Sequence, residues 1–223
     1  GSDASINFAL GDSFTASIWV QVLSTSGTTV SIAGKFGTDN DGWYFYRSID
    51  GRIVFGLYDF IANRYARSAS TTLTGSWINL IGSWDGAGTL DFKINNANQG
   101  LRTYNGTLTN IDTTDPLTVG RVGSTAPSEQ NASNFAIWNR VLTGEEKTNL
   151  YNKGRYNPDY SDISDLVFHS RLTELNPTDI SINTNNGTSV FQDESNLIYE
   201  AGTYNNIPNN KGLVIRPSFI HTT

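Results

Sequence analysis

Short stretches in which apolar and polar residues alternate recur along this chain of 223 residues, and they restrict its fold more than any other feature. The clearest stretch covers residues 12–23, where Phe14, Ile18 and Val22 mark an apolar side with polar residues between them. A period of two residues predicts a β-strand with one buried face. The first strand is therefore expected to pack Phe14, Ile18 and Val22 into a core.

Similar stretches with turn residues between them continue along the chain. They predict strands at residues 30–36, 43–48, 52–58, 77–84, 89–95 and 117–122. Asp50-Gly51 is a strong hairpin signal, whereas residues 63–70 lack the alternation and are predicted to form a looser arm. Short strands spaced about 8 to 12 residues apart predict an all-β, antiparallel jelly-roll β-sandwich.

One segment carries the signals of a helix instead. Thr143 and Glu146 have the spacing of a capping box, in which each side chain bonds to the backbone of the other residue. Glu145 and Glu146 suit the positive end of the helix dipole, and Gly154 can adopt the left-handed conformation that ends a helix. These signals predict one short helix near residues 144–153.

Composition and charge restrict the partners of the chain. The net charge is −6 and the 15 lysines and arginines are scattered, so we expect no nucleic acid partner. No apolar run approaches the roughly 20 residues of a membrane span, so we expect no membrane insertion. The chain has no cysteine, which excludes disulfides and thiolate chemistry. Only 16% of the residues are charged, as in many extracellular, cell-surface or virion proteins.

The closing segment of the predicted sandwich resembles a known family. AIWNRVLTGEEKTNLYNKG (136–154) is similar to the closing strand and helix of laminin G-like domains in the concanavalin A-like lectin/glucanase superfamily. DSFTASIWVQV (12–22) and WINLIGSWDG (77–86) support the resemblance, which implies a concanavalin A-like sandwich. Ala132, Ser133 and Asn134 stand where the family often has Ile-Asp-Glu, so no role of that acidic pair carries over.

The resemblance leaves the domain organisation open. Residues 1–158 are expected to form the laminin G-like sandwich, but residues 165–188 resemble the opening of the same family. We expect residues 159–223 to complete the same sandwich, with Leu166 and Phe168 in one core with Ile18 and Ile137. The alternative is the start of a second small β unit. The absence of methionine and the opening Gly1-Ser2 predict a fragment whose partners include other domains of a parent protein.

Catalytic residues are not evident in the sequence. Hydrolysis of a glycan requires two carboxylates about 5 to 9.5 Å apart, and the Glu-x-Asp-x-x-Glu motif of the glucanase members does not occur here. The nearest acidic pairs are Asp39/Asp41, Glu145/Glu146 and Asp193/Glu194. The two histidines, His169 and His221, form no recognisable triad or metal motif. We expect no enzyme, and a glycoside hydrolase or lyase is the least favoured alternative.

Calcium is the cofactor that the resemblance implies, because laminin G-like and pentraxin-like relatives often bind it at the rim of the sandwich. Carboxylate, amide and backbone oxygens in loops are its usual ligands. The candidate donors are Asp39, Asn40 and Asp41 in one loop and Asp112 and Asp115 in another. The alternative interpretation is that these residues stabilise turns through their side chains.

Aromatic side chains give the strongest indication of a binding surface. Sugar C–H faces stack on aromatic rings while sugar hydroxyls pair with amide, carboxylate and guanidinium groups. If Trp43 and Phe45 are in the core, the alternation directs their neighbours outward. The predicted binding residues are Tyr44, Tyr46, Arg47, Tyr58, Asn63, Arg64 and Tyr65.

The sequence therefore predicts a non-catalytic recognition module, a lectin-like domain that binds a glycan or a cell-surface receptor. Its parent would be a larger surface-exposed protein, such as an adhesin or a phage fibre. The alternative is a structural or assembly domain of a virion or cell-surface fibre that contacts protein.

Overall fold

The computed structural model describes residues 4–23, 29–37, 40–68, 75–120, 126–127, 130–156, 158–172, 197–200 and 212–215. Its strands are β1 (Phe14–Val22), β2 (Val30–Phe36), β3 (Gly42–Arg47), β4 (Ile53–Tyr58), β5 (Asn63–Arg67), β6 (Trp77–Trp84), β7 (Leu90–Ile94), β8 (Ala97–Asn98), β9 (Leu101–Asn105), β10 (Thr118–Val119), β11 (Ala126–Pro127), β12 (Gln130–Trp138), β13 (Leu166–Ser170), β14 (Leu197–Glu200) and β15 (Gly212–Ile215). The described helices are the short 3₁₀ turn Ala4–Ile6 and α1 (Gly144–Asn152).

Two large sheets form the all-β sandwich that the sequence predicts. The six-stranded sheet has the order β13-β12-β1-β6-β7-β8, and the seven-stranded sheet has the order β10-β2-β3-β4-β5-β9, with β11 pairing in parallel to β2. The other pairs are antiparallel, and β3 and β4 form the hairpin predicted around Asp50-Gly51. Of the strand predicted at 117–122, residues 118 and 119 form β10, and residues 121 and 122 lie outside the described residues.

One continuous apolar core lies between the two sheets. Phe14, Ile18 and Val22 of β1 all lie in it, as their alternation predicts, and Trp43 and Phe45 enter it from β3. The two sheets meet where the ring of Phe55 lies against the backbone of Gly82: a Cβ added there would stand 2.5 Å from the ring. A second apolar cluster, which includes Trp138 and Leu150, covers the outer face of the six-stranded sheet with α1.

The segment after the helix returns to the first sheet. β13 pairs with β12, and Phe168 lies in the same core as Ile18 and Ile137, whereas Leu166 packs in the cluster under α1. Farther along, β14 and β15 pair with each other. Because most residues beyond 172 lie outside the described ones, the division at residue 158 stays a prediction.

The helix begins as its sequence predicts. Thr143 Oγ1 accepts the backbone N–H of Glu146, and Glu146 Oε2 accepts the backbone N–H of Thr143, so both halves of the capping box are present. Gly154 ends the segment with a φ of 72°. Among the described residues, no helix has the length and apolarity needed to cross a membrane.

The capping carboxylate predicts an acid-sensitive contribution to stability. The guanidinium of Arg140 donates to both Glu146 oxygens, at 2.9 and 2.6 Å, and with the Thr143 N–H it lowers the pKa of Glu146 from 4.5 to about 2. The contribution is therefore present above the ordinary pKa of Glu146 and lost as the pH falls toward about 2. We expect the melting temperature of Glu146→Gln to vary less with pH across this range than that of the unchanged chain. Glu145→Gln, in the same helical turn, should keep the full dependence; equal pH profiles for both variants would contradict the assignment.

Candidate functional site

Aromatic side chains cover the outer face of the seven-stranded sheet. We call this surface the tyrosine face; it consists of Phe36, Tyr44, Tyr46, Val54, Tyr58 and Tyr65. Tyr44 stacks on Tyr46 with ring centroids 4.7 Å apart, and it contacts Phe36 at 4.6 Å and Tyr58 at 5.3 Å. Strand alternation places these side chains opposite Trp43 and Phe45, so four of the predicted binding residues lie on one surface.

The rings of the tyrosine face are covered to different degrees. Tyr44 and Tyr46 expose only 7% and 9% of their surface, whereas Tyr58 and Tyr65 are half-buried. Gly56 makes room for the Tyr58 ring, because a Cβ at that position would lie 2.4 Å from it. The alternation predicted the orientation of Tyr44 and Tyr46 correctly, but it did not predict how little of each ring is exposed. They face outward, but neighbouring rings occupy the space beside them.

Three phenol groups of this surface, those of Tyr44, Tyr46 and Tyr58, are neutral donors. Tyr46 and Tyr58 share a hydrogen bond of 2.6 Å between their hydroxyls. Burial raises the pKa of Tyr46 to about 12 even though the bond to Tyr58 lowers it, and burial also raises the pKa of Tyr44 and Tyr58. Each hydroxyl therefore keeps its proton at physiological pH and can donate one hydrogen bond and accept others.

Strand alternation separates the two predicted arginines from the tyrosines. Arg47 is 6% exposed and follows Phe45 on the core side of β3. Arg64 lies on the same side of β5 as the core residue Ala66, and its guanidinium stacks over the ring of Tyr104 at 4.9 Å. The sequence prediction that both arginines stand beside the tyrosines is thus not met, because adjacent residues of a strand point to opposite faces.

The edge of the sheet adds residues that sequence reasoning missed. β5 pairs with β9, so Asn63 lies opposite Asn105, and the Asn105 amide N–H donates to Asn63 Oδ1 at 3.2 Å. Tyr104 lies opposite Arg64 and is 45% exposed. The alternation of β9 is weak, and no local signal in the sequence connects it to a strand about 40 residues earlier. These contacts depend on the register between the strands.

The two loops with candidate calcium ligands lie side by side. Asn110 bridges them, because its amide N–H groups donate to Asp41 Oδ2 at 2.9 Å and to the backbone oxygen of Asp112 at 3.0 Å. Asp41 Oδ1 accepts the backbone N–H of Phe60, and Asp115 Oδ2 accepts the Thr113 hydroxyl. Hydrogen bonds within the protein therefore already engage both carboxylates.

A buried lysine supplies positive charge at the same rim. Lys35 is 2% exposed, and its ammonium donates to Asn7 Oδ1 at 2.7 Å and to the backbone oxygen of Thr113. Burial lowers the pKa of Lys35, whereas the charges of Asp112 and Asp115 raise it.

The described acidic residues of this rim do not form a group that could hold a metal ion. No group of three or more histidine, aspartate or glutamate side chains arranged to hold a metal occurs in the part of the chain that the structure describes. Asn40 is exposed beside Asp41, and Asp39 lies outside the described residues. Calcium binding by Asp39, Asn40, Asp41, Asp112 and Asp115 therefore stays a prediction, and it would require the release of the bonds above.

The candidate catalytic groups have structural surroundings. His169 is 2% exposed and contacts the ring of Tyr160 at 4.5 Å, and Glu146 belongs to the helix cap. Asp193, Glu194 and His221 lie outside the described residues. In the described part of the chain, the site that remains is a sheet face rich in phenol and amide groups, which can bind a ligand by stacking and hydrogen bonds.

The chain therefore has the fold of lectin-like sandwich domains, a two-sheet jelly roll. Residues 2–146 match the family model described as the concanavalin A-like lectin/glucanases superfamily. The chain belongs to this superfamily as a laminin G-like domain, which confirms the resemblance seen in the sequence. Among curated proteins, none matches the chain.

Solved structures with a similar fold include three binding domains of clostridial toxins. The binding domain of Paraclostridial Mosquitocidal Protein 1 has a TM-score of 0.55 at 19% identity, over 67% of this chain and 39% of that one. The binding domain of botulinum neurotoxin serotype G has a TM-score of 0.52 at 16% identity, over 68% and 39%. The binding domain of botulinum neurotoxin DC in complex with SialylT has a TM-score of 0.52 at 15% identity, over 68% and 37%. The chain spans about two fifths of these solved chains, and at such identities the likeness concerns the fold alone.

Proposed function

We propose that this domain is a non-catalytic carbohydrate-recognition module of a larger protein exposed on a cell surface or a virion, such as an adhesin or a phage fibre. The observation that carries the proposal is the tyrosine face with the amide pair of Asn63 and Asn105 at its edge. A flat aromatic surface beside amides is the combination that sugars require, because their C–H faces stack while their hydroxyls exchange hydrogen bonds.

The half-buried members of this face would contact the sugar directly. Tyr58 and Tyr65 offer partly exposed rings, and Asn63 stands next to Tyr65 at the edge. One hydrogen bond joins Asn63 to Asn105, and each amide has capacity for more, since it carries two N–H groups and a carbonyl oxygen with two lone pairs. Tyr44 and Tyr46 would not contact the sugar themselves. They would fix the orientation of Tyr58, Tyr44 through a ring contact and Tyr46 through a hydrogen bond.

Two kinds of observation support recognition over hydrolysis. The described part of the chain places no opposed carboxylate pair on this face. In addition, solved structures with a similar fold are binding domains, one of them in complex with SialylT. Binding by a single shallow face would be weak, and display of several copies on a parent assembly would strengthen it through multivalency.

A glycan array with the double variant Asn63→Ala/Tyr65→Ala tests the site. We expect roughly a tenfold or larger loss of signal for the glycans that the unchanged chain binds, because the variant removes a stacking ring and an amide partner. Tyr151→Ala is the matched control: Tyr151 is also half-buried, but it lies on α1 and stacks on Trp19. An unchanged array pattern in a folded double variant would refute the site, and release of reducing ends from a polysaccharide panel would refute the absence of catalysis.

A further inference from the structure

Two large apolar side chains project from one turn of the seven-stranded sheet. The turn between β4 and β5, residues 59–62, is called here the hairpin tip. Its Phe60 and Ile61 are 78% and 73% exposed, the highest values among the large apolar side chains that the structure describes. Exposure of two adjacent residues of this kind is unfavourable in water, because apolar side chains gain stability when they are removed from water.

The hairpin tip is held rigidly in this exposed position. Asp59 Oδ1 accepts the backbone N–H groups of Ile61 and Ala62, at 2.9 and 2.6 Å, and Asp59 Oδ2 accepts the backbone N–H and hydroxyl of Thr109, at 2.6 and 3.1 Å. The backbone N–H of Phe60 donates to Asp41 at 3.1 Å. Burial disfavours the charged form of Asp59, yet these bonds outweigh it and hold the pKa of this carboxyl below its usual range. The carboxylate therefore stays ionised and the tip stays ordered.

The residues that follow the tip have the order expected at a bilayer interface, with apolar side chains first and an arginine and a tyrosine behind them. β5 leads back from the tip to Arg64, whose guanidinium lies over the partly exposed ring of Tyr104. Three residues at about 3.3 Å each separate Ile61 from Arg64, or roughly 10 Å. Apolar side chains of interfacial proteins enter about 5 to 10 Å, while tyrosine and arginine lie at the level of the headgroups.

From this arrangement we propose that the hairpin tip docks on the surface of a phospholipid bilayer. Phe60 and Ile61 enter the boundary between headgroups and acyl chains, and Arg64 donates to a lipid phosphate. A protein partner fits less well, because a stable protein interface needs about 800 Å² on each side, with an apolar centre. In the described part of the chain, the large exposed apolar residues of this sheet near the tip are Phe60, Ile61 and Tyr104; Ile49 lies at the opposite end of β4, and Val141 belongs to the connection between α1 and β12 of the other sheet.

This contact differs from a membrane span, and it revises the expectation of no membrane insertion at this one point. The carboxylates beside the tip, Asp41 and Asp59, are engaged by hydrogen bonds, and Arg64 brings one positive charge. The tip therefore suits zwitterionic headgroups, and it has no basic cluster that would select anionic lipids. Docking of the tip on a bilayer does not require a bound glycan, so vesicles without glycan test it.

Flotation with vesicles of phosphatidylcholine, without glycan, tests the proposal. We expect the unchanged chain to float with the vesicles, and Phe60→Ala/Ile61→Ala to lower the partition coefficient roughly tenfold or more. Ile49→Ala is the matched control, since Ile49 is 69% exposed at the opposite end of the strand, and it should float like the unchanged chain. Because the altered side chains are exposed, thermal melts of all three proteins should agree.

The outcomes separate the possible occupants. Failure of the unchanged chain to float, or equal flotation of the double variant, would overturn the proposal. A change from dimer to monomer in the double variant on size-exclusion chromatography, without flotation of the unchanged chain, would assign the tip to a second copy and would also overturn it. A glycan-array signal that persists in the double variant would leave the proposed function intact whichever result is obtained.

Discussion

Gly82→Val is expected to destabilise the domain by roughly 3 kcal/mol or more, a large part of the stability of an ordinary domain. Gly82 lies on the core side of β6, and a Cβ there would stand 2.5 to 2.6 Å from three carbons of the Phe55 ring. Phe55 is fully buried, and its ring contacts those of Trp43, Phe45 and Phe92. The added side chain would therefore force the two sheets apart.

Chemical denaturation measures this effect, and a second substitution tests its cause. Gly82→Ala should destabilise the domain less than valine, and Gly82→Ala/Phe55→Leu should recover part of the loss, because the smaller side chain leaves room for the new methyl group. Gly100→Ala is the control, since nothing lies within 4 Å of a Cβ at that position. A Gly82→Val protein as stable as the control would show that the sheets do not meet at Phe55.

Lys35→Met is expected to cost about 2 to 3 kcal/mol of stability. Methionine can fill the apolar space of the lysine stem, but it leaves the buried backbone oxygen of Thr113 and the partly buried Asn7 Oδ1 without their donor. It also removes the positive charge that Asp112 and Asp115 experience. The comparison is Lys93→Met, because Lys93 is half-buried on β7 and its substitution should change stability by less than about 0.5 kcal/mol.

Thermal melts of both lysine variants, with and without calcium, would settle the role of this rim. We expect calcium at about millimolar concentration to leave the melting temperature of the unchanged chain the same. Hydrogen bonds within the protein and the charge of Lys35 already compensate the candidate ligands. A clear rise in melting temperature would show that the folded chain binds the ion, and it would support the candidate ligands at this rim. If Lys35→Met were as stable as the unchanged chain, the cost of burying the ammonium would equal the gain from its bonds.

Local patterns in the sequence predicted much of the fold. The alternation of β1 identified the residues that enter the core, and Asp50-Gly51 identified the hairpin of β3 and β4. Thr143 and Glu146 identified the start of α1, with both capping bonds present. Each of these signals acts within a few residues, so the amino-acid sequence carries it without reference to the remainder of the chain.

The candidate site was predicted less completely because it depends on pairing between distant strands. Residues 63–70 gave no alternation, yet residues 63–67 form β5, since β4 and β9 supply backbone partners on both sides. Arg47 and Arg64 were grouped with the tyrosines by proximity in sequence, but their strands direct them to the opposite face. The amide pair of Asn63 and Asn105 arises only from the register of β5 and β9.

The sequence by itself determined the class of the fold, because alternating strands and one capped helix predict a β-sandwich. Only the tertiary structure decided how exposed each ring is, which charges meet, and that Phe60 and Ile61 stand unburied on a rigid turn. The physical reason is the separation along the chain over which each interaction acts. Strand period and helix capping are set by neighbouring residues, whereas burial and pairing are set by segments that folding brings together from far apart in the chain.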